Sequence, residues 1–77
     1  MSTKKRYRAI VWDGLCSHQR AHERGEASMW ASASVIADRA GVSVVTARKY
    51  LNELADKGKA HRLNAGSSSY FMIAFDK

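Results

Sequence analysis

The sequence predicts an α+β domain, mainly helical, with three helices, a short strand and a C-terminal two-stranded hairpin. Three observations predict it. Ser32 and Ser43 each stand directly before a run with helical apolar spacing. Gly41, Val42 and Ser43 separate those two runs and suit a three-residue turn. Two strand-length apolar runs, around 60–63 and 70–75, follow the second helical run. Asn64-Ala65-Gly66-Ser67-Ser68-Ser69 joins them and reads as a flexible hairpin tip.

Residues 1–6 are polar and basic and are expected to form a loose arm. From about Tyr7 to about Arg24 the spacing predicts a first helix, because Tyr7, Val11, Leu15, His18 and His22 fall on one stripe. Gly14 weakens it by roughly 1 kcal/mol relative to alanine, and Gly25 stops it. Ala27 to Ala31 is short and apolar and suits a small strand. Ser32 caps the second helix, in which Ile36, Ala37 and Ala40 are the expected buried positions. Gly41 is placed where a positive φ is needed, and Val42 plugs the core. Ser43 caps a third helix reaching about Lys57, with Ala47, Leu51 and Leu54 inward and Tyr50 on the flank.

This order of elements is a winged helix-turn-helix, and 77 residues allow one such domain over 1–77. The formal net charge is +6, from 13 Lys and Arg against 7 Asp and Glu, which suits a polyanion partner. No long apolar run is present, so no membrane span is expected, and no signal peptide follows the basic start. A single cysteine, Cys16, fits a reducing compartment, expected to be the cytoplasm.

Ile36-Ala37-Asp38-Arg39-Ala40-Gly41-Val42-Ser43, then Thr46-Ala47-Arg48-Lys49 and Leu51, Leu54 and Gly58, resembles the DNA-binding domains of bacterial GntR-type and DeoR-type regulators. The resemblance runs from Trp30 to Ile73. It implies a winged helix that binds double-stranded DNA. The chain departs from that pattern at Ala40, where leucine is common, at Ala47, where valine is common, and in a wing tip without arginine. Larger members carry a ligand-sensing domain after the wing. The chain ends at Lys77, so no small-molecule effector is expected.

Helical geometry assigns the candidate interface. With Ala47, Leu51 and Leu54 inward, the outer face near the start of the third helix carries Ser43, Val45, Thr46, Arg48, Lys49 and Asn52. Arginine and lysine donate to guanine, asparagine pairs with adenine, and a valine methyl meets a thymine methyl. Ser43 and Thr46 also suit phosphate contact or capping. In the wing, Arg62, Asn64, Ser67 and Ser68 are the expected backbone contacts. Lys4, Lys5 and Arg6 are expected along the backbone or in a minor groove.

Other chemistry finds little support. His18 and His22 are one helical turn apart, but Cys16 points elsewhere and no fourth ligand is near, so no metal or cofactor is expected. Cys16 and His18 on one helix make no nucleophile and base pair with an orienting third group. Trp12 and Trp30 suit core or dimer contacts better than base stacking. The expected function is a sequence-specific DNA-binding regulator, a repressor acting by promoter occupancy as a homodimer, with a mobile-element origin attractive. Two alternatives share these features. One is an architectural DNA-binding factor, such as an excisionase or a plasmid partition or replication accessory. The other is a winged helix that binds an acidic protein.

Overall fold

The computed structural model describes residues 3–74, with Thr3, Lys4 and Lys5 by backbone alone. Helix α1 (Thr3–Glu23) buries Val11, Leu15, His18 and Ala21, a stripe spaced by four, three and three. It begins at Thr3, so the expected loose arm is already helical there. Lysine and arginine are good helix formers. The first turn has no acidic residue to complement its amide end, but packing offsets this. Tyr7 stacks on Tyr50 with centroids 6.3 Å apart, and Arg8 pairs with Glu53.

Residues 24–30 form turns and bends, and β1 is only Ala31–Ser32, shorter than the apolar run suggests. Helix α2 (Ala33–Ala40) starts on Ser32, whose hydroxyl accepts the Val35 amide at 3.3 Å. It ends at Gly41, where φ is 73° and the Gly41 and Val42 amides both reach the Ala37 carbonyl, at 2.8 and 3.1 Å. A side chain at that φ costs free energy, so glycine terminates the helix with least strain. Helix α3 (Val44–Asp56) follows at once.

Ala40 is half-buried rather than buried: it packs on Gly14 of α1 but lines an open surface cleft beside Ser17 and Arg39. Tyr50, expected on the flank, is 4% exposed under Tyr7. Leu54 is half-buried and packs on the rim of the core.

Strands β2 (Ala60–Ala65) and β3 (Ser68–Ile73) form the hairpin, and the sheet order is β1-β3-β2. Register pairs Ala60 with Ile73, Arg62 with Phe71 and Ala65 with Ser68. The tip is therefore the two residues Gly66 and Ser67, not a flexible six-residue loop. Gly66 has φ 63° while Ser67 does not go positive, the arrangement of a type II′ turn, whose twist matches the strands. Phe71, Leu15, Ile36, Leu51 and Val11 are the largest fully buried side chains and join the sheet to all three helices. Among the described residues no helix is long and apolar enough to cross a membrane.

Candidate nucleic-acid interface

The N-terminal end of α3 is the most exposed functional surface. Ser43 caps it, accepting the Thr46 amide at 3.1 Å and donating its hydroxyl to Thr46 Oγ1 at 2.9 Å. Both hydroxyls are thus tied to the helix end, and Thr46 is half-buried. Val45 is 74% exposed, and Arg48 and Lys49 are exposed beside it. Lys49 Nζ lies 5.5 Å from the Tyr50 ring centroid, a cation–π contact that steadies its stem.

One side of α3 faces the hairpin. Val44, Arg48 and Asn52, spaced by four, run along it. Arg48 and Val44 open on a cleft of ≈ 570 Å³ whose other wall is the wing, with Ser67, Ser68 and Ser69. Ser32 and Ser34, at the start of α2, line its floor. The cleft sets one guanidinium opposite a row of hydroxyls, a chemistry suited to a phosphate group. Sequence reasoning names Arg48, Ser67 and Ser68 but misses Val44, Ser34 and Ser69. Their signal is weak: Val44 precedes Arg48 by one turn, and Ser34 lies two residues past the Ser32 cap.

Arg62 sits away from the tip. It shares the helix-facing side of the sheet with Phe71, its register partner, and Nη1 donates to Asn52 Oδ1 at 2.9 Å. Asp56 lies 4.0 Å from the same nitrogen. Arg62 and Asn52 therefore hold each other at the wing base. Asn64 accepts the Ser69 hydroxyl at 2.8 Å, a cross-strand pair. Arg6 is exposed on α1. The backbone of Lys4 and Lys5 is helical, which corrects the expectation of a loose arm; their side chains lie outside the described residues.

The histidines bind the chain to itself. His18 is 4% exposed, and its Nε2–H donates to the Ser28 carbonyl at 2.7 Å. His22 Nδ1–H donates to the Ala27 carbonyl at 3.0 Å. These two bonds fold the 24–30 connection back on α1 and so place β1. Each bonded ring nitrogen carries the hydrogen, since a carbonyl accepts only. Burial pushes the Cys16 thiol up, with Arg20 partly countering, so it stays a neutral thiol rather than a nucleophilic thiolate. Trp12 faces a groove beside Leu54, and Trp30 is half-buried next to β1.

A family model described as FaeA-like protein matches residues 25–73, which covers the helix-turn-helix and the hairpin. The match supports a DNA-binding winged-helix type and does not select the GntR or DeoR type. Among curated proteins and solved structures, none matches significantly.

Proposed function

The chain belongs to the FaeA-like family, a winged-helix DNA-binding type, and on that premise we propose a sequence-specific regulator of transcription that binds double-stranded DNA. It acts as a repressor by occupying promoters, in the cytoplasm, as a homodimer on paired half-sites, and needs no catalysis and no small-molecule effector. Helix α3 enters the major groove by its N-terminal end, where such helices meet the bases. Val45 and Lys49 read base edges, and Arg48 with the wing serines holds the adjacent backbone.

One observation carries this reading. Arg48 and Val44 face the hairpin hydroxyls across an open cleft, while Val45 beside them is three-quarters exposed. A large apolar side chain that exposed among cations suits a groove containing thymine methyl groups.

The test is selection from a random double-stranded pool at about physiological salt, where specific binders exceed non-specific background by roughly 10³-fold or more. An enriched inverted repeat, lost with Arg48→Ala and Lys49→Ala together, is the expected result. Enrichment of nothing would overturn specific regulation and leave an architectural role or a protein partner.

A further inference from the structure

A second surface lies at the opposite end of α3. Between α1 and the C-terminal half of α3 runs a groove of ≈ 500 Å³. Its floor is apolar, from Ala9, Trp12 and Leu54. Its rim carries three cations, Arg8, Lys57 and Lys59. Among the described residues Glu53 is the single carboxylate lining it, and it pairs with Arg8 and with Lys57, at 3.4 Å to the latter. Leu54 is about 13 Å along the helix axis from Val45, at 1.5 Å per residue. The groove therefore stays open when the N-terminal end of α3 is covered.

We propose that this groove docks an acidic amphipathic segment of a partner protein, with an apolar side chain on Trp12 and Leu54 and carboxylates on Lys57, Lys59 and Arg8. Charge decides between the occupants. An isologous contact with a second copy would bring the same patch onto itself, three cations and one carboxylate on each side, so that two net positive patches would meet. Nucleic acid would satisfy the cations but has no use for the apolar floor. A helix with an apolar stripe flanked by carboxylates satisfies both, in the manner of helix-in-groove recognition. The proposal stands whether or not α3 reads DNA.

The experiment uses the isotope-labelled full chain and two-dimensional amide spectra. The probes are a set of synthetic helical peptides with leucine or phenylalanine at i, i+3, i+4 and i+7 and glutamate elsewhere. A scrambled peptide of equal composition is the control. The proposal expects saturable shifts at Ala9, Leu54, Lys57 and the Trp12 indole, with affinity at least about ten-fold above the scrambled control, a difference of roughly 1.4 kcal/mol. Ala9→Trp, a change on an exposed position that fills the groove, should abolish the shifts while the fold is retained by circular dichroism. Lys57→Ala with Lys59→Ala should weaken binding about ten-fold. Equal binding of the scrambled peptide, binding that survives Ala9→Trp, or no groove shifts from any probe would each overturn the proposal. So would stronger groove shifts from a DNA duplex, or from vesicles of equal phosphatidylcholine and phosphatidylglycerol.

Discussion

Gly14 of α1 packs directly against Ala40 of α2. A Cβ placed on Gly14 would lie 3.2 Å from the Ala40 Cβ and 3.4 Å from the Ile36 carbonyl oxygen. The helix penalty of Gly14 is thus exchanged for close approach of two helices. Position 40, where the GntR-type and DeoR-type pattern commonly has leucine, carries the small alanine at this contact. Overpacking costs typically 1–3 kcal/mol. Gly14→Val is expected to destabilise by about 2 kcal/mol, a fall in Tm of roughly 8–16 °C for a domain this size. Ala40→Gly in the same chain should show a coupling of about 0.5 kcal/mol or more. Additive thermal shifts would remove the pair from the account.

Ser43 caps α3 at the end that faces DNA in the proposed complex. Ser43→Ala should cost about 1 kcal/mol, or roughly 4–8 °C in Tm. Ser43→Asp keeps a capping oxygen and favours the helix amide end, so its Tm should match wild type. DNA affinity should nonetheless drop in Ser43→Asp, because the new carboxylate would face phosphates. Thermal melts and a binding titration on the same samples separate the two roles.

The Arg62 to Asn52 bond ties the wing base to α3. Arg62→Ala and Asn52→Ala should couple in stability by about 0.5–1 kcal/mol in a double-mutant cycle. If Arg62 also meets a phosphate, Arg62→Ala should flatten the slope of log K against log salt by about 0.9. A slope unchanged in Arg62→Ala would assign that residue to the fold alone.

Glu53 links α1 to α3 by charge. Partial desolvation raises its carboxyl, but the Arg8 hydrogen bond and charge, with Lys57, outweigh this and leave it below the ordinary value of 4.5. A carboxylate depressed in the folded state stabilises above its unfolded pKa and loses that contribution as pH falls through the folded pKa. Wild type should therefore lose stability more steeply than Glu53→Gln as pH falls from about 5, below the usual glutamate range. Urea midpoints across that window check it. Parallel curves for the two proteins would show the link contributes nothing.

The helix-turn-helix was legible because its signals are local. Ser32 and Ser43 each accept an amide three residues on, and Gly41 needs no more than its own φ. The start of α1 was not, since what makes Thr3 to Arg6 helical is contact of Tyr7 and Arg8 with residues far along the chain. The wing tip was hidden for another reason. In β2 only Ala60 is buried and the five residues after it are exposed. A strand with both faces wet has no period-two pattern to read. In the interface, residue types on α3 could be placed by helical angle alone. The cleft that sets Arg48 opposite Ser67 and Ser68 exists only after the hairpin folds back. The mutual hold of Arg62 and Asn52 depends on strand register, which a one-residue slip would reverse.

The position of β3 between β1 and β2 bears on how the domain is made. A ribosome delivers the helices, β1 and β2 before residues 68–73 appear. Until then the two outer strands share no hydrogen bond, and the place of the Phe71 ring is empty. The nascent chain can gather its helices early but cannot close its core. Translation that stops short of Phe71 would yield a product with an open apolar centre and unpaired strand edges, suited to proteolysis or aggregation rather than to competing for the same binding sites.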